Sequence, residues 1–319
     1  MTPTWLEPQM QQLRAAFAAG RLPHALLIHE APGAGGEWLA QWVAQLVLCR
    51  GPAPAPCGQC PACRQASQWQ HPDLIRLALL ETSTQIRIEQ VRELAADLAL
   101  TAHQGGYKVG VISPADGMNR FAANALLKTL EEPPRSTLLV LVASVPSRLP
   151  ATILSRCQRL RLGAPPRAAA VAWLEAQRGA GEWGAVLDVL GDAPWLAAAA
   201  DPAALLATAA EMRADLEQLS TGGADPTQCA ERWAREQLPL RLRCFENWLT
   251  DRIRARLLGT GTAAEVRRSA HSRAAMPTIR EAFELLDAVR ELRSSFDVPL
   301  NRSVALEALL RRLAPRRAA

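Results

Sequence analysis

Four cysteines lie within fifteen positions of one another: Cys49, then Cys57-Gly-Gln-Cys60-Pro-Ala-Cys63. Two overlapping Cys-x2-Cys steps and one further thiolate upstream supply four soft ligands, the number and type that a tetrahedral structural Zn²⁺ requires. The intervening RGPAPAP is a loop able to fold the first ligand back onto the others. A closed four-thiolate site keeps no coordination position for water, so its chemistry would be structural. Reduced buried cysteines and a redox pair are the alternatives. The remaining Cys157, Cys229 and Cys244 are isolated and read as packing residues.

A second group is the stretch Glu30-Ala-Pro-Gly33-Ala-Gly35-Gly36-Glu37, which follows the apolar run ALLIH and precedes LAQWVAQLVLC. A phosphate-binding loop follows GxxxxGK[ST]: its backbone N–H groups cradle phosphates, its lysine neutralises the terminal oxygens and its hydroxyl holds Mg²⁺. With Gly35 as the last glycine of that pattern, the first glycine is Glu30, the lysine is Gly36 and the hydroxyl is Glu37. A carboxylate about 5 Å from a phosphate charge costs roughly 3 kcal/mol per unit charge at an effective dielectric near 20. ATP is therefore disfavoured here. The run KVGVI at 108–112 continues into Ser113-Pro114-Ala115-Asp116, without the acidic pair that would orient Mg²⁺ and water. Asp116 comes too late for that role and reads as the cap of the following helix.

The elements that must position these residues are legible in outline. Short apolar runs at 25–29, 73–79, 108–112, 137–144 and 157–162 alternate with helical patterns at 36–49, 88–101 and 119–131. Runs that are apolar throughout, separated by helices, indicate a parallel sheet covered on both faces. Residues 1–163 therefore read as an α/β domain with the cysteine module (about 49–63) inserted. After Gly163 the β-runs stop and helical segments follow at 167–178 and 182–190. Further on, Ile279, Ala282, Phe283, Leu286 and Val289 form one stripe, and Leu306, Leu309, Leu310 and Leu313 another.

Composition sets the outer bounds. The 319 residues are 49% hydrophobic and 21% charged with a net charge of +5, which permits a polyanion nearby without demanding one. No apolar run reaches the ~18 residues of a membrane span, and the opening MTPTWLEPQMQQLR lacks the basic-then-apolar order of a signal peptide. A cytoplasmic location with no membrane contact is the expectation, and it agrees with cysteines used for metal or burial.

The order of these features is diagnostic. A degenerate phosphate loop, four cysteines behind its helix, His71-Pro72-Asp73, Asn124-Ala-Leu-Leu-Lys-Thr-Leu-Glu-Glu-Pro-Pro134 and Ser155-Arg156-Cys157 closely resemble the clamp-loader family of AAA+ proteins. Within that bacterial family the match is to members that have lost their own ATPase function. The motifs cover residues 24–157, and a weaker collar-like signature, Asn301-Arg-Ser-Val-Ala-Leu-Glu-Ala-Leu-Leu310, extends to the C-terminal part.

The resemblance implies an AAA+ α/β domain at 1–163, a small helical lid at 164–205 and an all-α collar at 206–319. It implies a hetero-pentamer with gamma or tau and delta subunits, which uses ATP in gamma or tau to place a sliding clamp on primed DNA. It carries over one catalytic residue: Arg156 of the SRC motif as an arginine finger acting in trans on a neighbour's ATP. A permanently charged, forked guanidinium suits that place. The cofactor it implies is Zn at Cys49, Cys57, Cys60 and Cys63, with no ATP bound in cis. Where active relatives carry a sensor residue after the fourth run, the chain has Ala143-Ser144; in place of a second sensor arginine it has Gly191-Asp192-Ala193-Pro194. Lys128 and the Glu131-Glu132-Pro133-Pro134 corner fit packing or a subunit contact as well as chemistry. Two other classes compete. An active gamma/tau-type ATPase conflicts with Gly36 and Glu37, and a free-standing zinc-dependent DNA-binding module would need more than Arg50, Arg64 and Trp69 around the cysteines.

Overall fold

The computed structural model describes residues 2–52, 54–80, 83, 85–258, 278–294 and 301–313. The chain divides into two compact units, Met1–Gly181 with Asp192–Ala198, and Glu182–Gly191 with Ala199–Ala319.

The first unit is built on five parallel strands, β1 (Ala25–Glu30), β2 (Leu74–Leu77), β3 (Lys108–Ile112), β4 (Thr137–Ala143) and β5 (Gln158–Leu162), in the order β2-β3-β4-β1-β5. The central strands β3 and β4 are buried along their whole length, as strands covered on both faces must be. The edge strand β5 alternates instead, exposing Gln158, Arg159 and Arg161 and burying Leu160 and Leu162, and its charges discourage pairing with another sheet. Side chains alternate along each strand, so Leu26 and Ile28 enter the core under α1 (Glu7–Ala18) and α2 (Gly36–Leu48). Ala25 and Leu27 enter the opposite core with α4 (Ile88–Ala99) and α5 (Arg120–Glu131). The short α3 (Pro61–Ser67) carries the last cysteine, α6 (Ala151–Leu154) leads into β5, and α7 (Arg167–Arg178) follows it. Asn119 caps α5 by accepting the Ala122 N–H at 2.8 Å. Asp116 is therefore not the cap expected from sequence: it lies one short helical turn earlier and accepts the Val145 N–H at 2.8 Å instead.

The second unit is helical throughout its described residues: α8 (Trp183–Leu190), α10 (Pro202–Thr221), α11 (Pro226–Arg235), α12 (Leu238–Leu258), α13 (Ile279–Ser294) and α14 (Arg302–Arg311), while α9 (Pro194–Ala199) falls mostly in the first unit. Asp201, Asp225 and Asn301 cap α10, α11 and α14 with side-chain oxygens, which fixes where those helices start. Trp233 and Phe245 centre the core, and the Trp233 indole N–H donates to Asp215 at 2.9 Å. Leu306, Leu309, Leu310 and Leu313 are buried as their spacing predicts. The stripe on α13 is rotated from the expected one. Ala282, Leu285, Leu286, Val289 and Leu292 form the buried face, whereas Ile279 and Phe283 are exposed. No helix among the described residues is long and apolar enough to cross a membrane.

Candidate functional site

The glycine-rich loop leaves the end of β1 and opens α2, the place in a parallel sheet where ligands are held. Its amides are already engaged. Glu30 Oε2 accepts the N–H of Gly35 at 3.1 Å and of Gly36 at 2.6 Å, so a carboxylate of the chain itself sits where a phosphate oxygen would be cradled. Burial raises the Glu30 pKa, the two amide N–H groups oppose that, and the nearby charges of Glu37 and Asp116 add to the rise. Glu37 turns away from the loop and forms an ion pair with Arg76 of β2 at 2.5 Å, without hydrogen-bond geometry.

The other side of the loop is closed by aromatic rings. Gly35 adopts φ 104°, and a β-carbon there would stand 2.5 Å from Trp195 Cζ3. Trp195 stacks on Trp173 with ring centroids 4.6 Å apart, and Trp5 meets both edge-on while its indole N–H donates to the Ala34 carbonyl at 3.0 Å. Each such aromatic pair contributes about 0.5–1.5 kcal/mol beyond its buried area, so the loop is held from above by residues of the same compact unit. Trp195 stands directly after the Gly191-Asp192-Ala193-Pro194 segment, which occupies the place of a second sensor arginine; that adjacency is the signal available in the sequence.

The raised Glu30 pKa gives a test by pH. A carboxyl easier to protonate in the folded than in the unfolded chain gives stability that is full below the ordinary value near 4.5 and is lost as pH rises through the folded pKa. Glu30→Gln retains an acceptor for Gly36 and removes the titration. Relative to wild type, its urea stability should therefore improve as pH rises from 4.5 towards neutrality; a pH-independent difference would show that Glu30 does not titrate in this environment.

The four cysteines predicted as ligands come together. The Sγ atoms of Cys49, Cys57, Cys60 and Cys63 all lie within 4.8 Å of one another, and those of Cys57 and Cys63 are 4.0 Å apart. A tetrahedron of Zn–S bonds near 2.3 Å has sulfur atoms about 3.8 Å apart, so the donor set fits that metal. The N–H groups of Cys57, Cys60 and Cys63 each point at the sulfur of the preceding cysteine, at 3.4 Å. Burial raises the Cys60 pKa, yet the N–H groups of Arg50 and Cys63 and the neighbouring thiols outweigh it and bring the value down to about 6, while burial pushes the Cys63 thiol up. Next to the module, Arg50 donates to the Gln104 and Gly105 carbonyls, and the fully buried Asp73 of the His71-Pro72-Asp73 motif accepts the N–H groups of His103 at 2.7 Å and Gln104 at 3.1 Å. That motif holds the loop entering β3. Cys157, Cys229 and Cys244 are buried among apolar side chains, as expected of packing residues.

Arg156 lies in the turn between α6 and β5 with 35% of its side chain exposed. Its guanidinium donates to the Thr152 carbonyl at 3.0 Å and pairs with Glu131 at 2.8 Å, a contact between two motifs that the sequence left unconnected.

Residues 5–166, just over half of the chain, match the family described as "DNA polymerase III, delta subunit". The chain is 46% identical over 153 residues to the DNA polymerase III subunit delta-prime of Pseudomonas aeruginosa, covering 47% of this chain and 46% of that protein. To the delta-prime subunit of Escherichia coli it is 40% identical over 171 residues, covering 53% and 51%. To the Escherichia coli subunit tau it is 34% identical over 159 residues, covering 50% of this chain and 24% of that one. The aligned chain spans about half the length of the delta-prime relatives. The loop, the cysteine module and the SRC turn all fall inside the matched segment, and the chain belongs to the DNA polymerase III, delta subunit family.

Proposed function

We propose that this chain is the non-hydrolysing delta-prime subunit of the DNA polymerase III clamp loader, acting in the cytoplasm. In this reading it joins gamma or tau and delta subunits in a hetero-pentamer that loads the sliding clamp on primed DNA. The single observation that carries the non-hydrolysing part is the Glu30 carboxylate seated on the Gly35 and Gly36 amides. A phosphate would have to displace an anion that is covalently part of the loop and to enter beneath Trp195. The residues that would handle the metal and the γ-phosphate are absent: Gly36 stands for the lysine, Glu37 for the hydroxyl, and no acidic pair ends β3. The chain's contribution to hydrolysis is then Arg156, offered in trans to ATP on an adjacent gamma or tau subunit. The four thiolates hold a structural Zn²⁺ that fixes the loop behind α2. The division into an AAA+ domain at 1–163, a lid at 164–205 and a collar at 206–319 belongs to the same reading, with α10–α14 as the part that joins the ring.

The test is a titration of the isolated chain with a fluorescent ATP analogue and Mg²⁺, beside the tau subunit of the same source. No saturable binding to this chain is expected over the range that saturates tau. Binding of equal strength would favour the gamma/tau-type reading. Restoring the lysine alone should not help: a β-carbon at position 36 would stand 2.8 Å from both Glu30 Cδ and Val142 Cγ1. Gly36→Lys should cost about 1–3 kcal/mol of stability through overpacking and yield no ATPase. Measurable hydrolysis by that isolated variant would show that Glu30 and the missing acidic pair do not close the site.

A further inference from the structure

The SRC-turn arginine is fixed by two different parts of the first unit. Nη1 donates to the Thr152 carbonyl at 3.0 Å and to Ser155 Oγ at 3.4 Å, both local, whereas Nη2 meets Glu131 Oε1 at 2.8 Å. Glu131 is the last residue of α5, a helix anchored on the sheet by Ala122, Ala123, Leu126 and Leu130, so the carboxylate stands on a rigid element. A guanidinium has five N–H donors. The bonds to Thr152, Ser155 and Glu131 use its two terminal nitrogens and leave Nε–H unengaged by them. The two side chains keep 35% and 50% exposure, so a phosphate can reach the group. An ion pair this exposed contributes little to stability. Its physical effect is to restrict a long side chain that otherwise samples many rotamers, and a charge aimed at a transition state acts only if it is in place when charge develops.

We infer that Glu131 is a positioning residue for Arg156: it holds the guanidinium at a fixed place and orientation at the end of α5, ready for the ATP of an adjacent subunit. This rests on the reading of Arg156 as a finger acting in trans. The neighbouring Glu132 carries the same charge but makes no ion pair with Arg156 among the described contacts, which provides a control.

The experiment reconstitutes the complex with full-length wild-type, Glu131→Ala, Glu131→Gln, Glu132→Ala, Arg156→Ala and Arg156→Ala/Glu131→Ala chains, and measures ATP hydrolysis with clamp and primed DNA present. Glu131→Ala should lower kcat at the adjoining site by roughly tenfold, within the roughly 10²-fold that a 1 Å misplacement can cost, with KM for ATP unchanged. Glu131→Gln, which keeps an acceptor, should lose less, and Glu132→Ala should match wild type. In the Arg156→Ala background Glu131→Ala should change nothing further, because its effect passes through the arginine. Wild-type turnover by Glu131→Ala beside a deficient Arg156→Ala would overturn the positioning role and leave the finger intact. So would a gain in turnover, which would mark Glu131 as a brake, or additive losses in the double variant, which would mark a structural role. Wild-type turnover by Arg156→Ala would remove the finger reading itself, and the positioning role with it.

Discussion

With Arg156→Ala in a reconstituted clamp loader, hydrolysis at the adjoining gamma or tau site should fall by about 10³–10⁵, the range an arginine finger is worth, while the complex still assembles. The structure explains why the variant should be otherwise intact. Among the described residues, the polar partners of Arg156 are the Thr152 carbonyl, Ser155 Oγ and the half-exposed Glu131, so truncation orphans no buried polar group there. Surface changes of this kind usually stay within about 0.5 kcal/mol. The helices assigned to assembly, α10–α14, belong to the second compact unit, and Arg156 to the first. Total turnover should drop less than turnover at the affected site if the other ATP sites carry fingers of their own. Clamp loading should suffer more if all sites must fire together. Arg156→Lys should rescue only in part, since it keeps the charge and loses the fork. ATPase and loading assays on primed DNA decide it, and full activity from a correctly assembled Arg156→Ala complex would leave this subunit a passive scaffold.

Metal removal should have the second large effect. Reduced protein purified without chelator should contain one Zn²⁺ per chain, and stripping it should lower stability by about 4 kcal/mol at a free zinc level a thousand times the dissociation constant. The loss should be local in origin, because the module supports defined neighbours: Ala62, Cys63 and Ala66 are buried against α2, and Arg50 holds the Gln104 and Gly105 carbonyls ahead of β3. Cys60→Ser should reproduce the effect with chelator absent, and urea unfolding with and without zinc measures it. The closed donor set predicts that folded survivors keep their activity in the complex. Metal-free protein of unchanged stability would remove the structural role, and loss of assembly at unchanged stability would point to a direct partner contact at the module.

Much of the first unit could be read from the chain because its signals are local. β3 is found at 108–112 and α7 at 167–178 where apolar runs and periodicity put them, and the other strand ends move by only a residue or two. The cysteine cluster was equally legible, since Cys-x2-Cys spacing constrains where three of the four sulfurs can go. Side-chain identity alone also argued against a working phosphate loop, as Gly36 and Glu37 cannot do what a lysine and a hydroxyl do. Helix faces were less secure. On α13 the spacing selected Ile279 and Phe283, but the packed neighbours turn the helix so that Leu285 and Leu292 are buried in their place.

What meets the amides of the glycine-rich loop was decided only by the tertiary structure. Glu30 reads as a missing glycine, yet the chain path from β1 into α2 turns its carboxylate onto the Gly35 and Gly36 amides, the place a phosphate oxygen would take. Trp195 reaches Gly35 from far along the chain, and Glu131 reaches Arg156 from the end of another helix. Contacts between distant residues depend on how elements close on one another, which no local spacing records. Residue types determined that Gly36 and Glu37 stand where a phosphate-binding loop carries a lysine and a hydroxyl; chain closure determined that the Gly35 and Gly36 amides meet the Glu30 carboxylate and that the partly exposed Arg156 is held by Glu131.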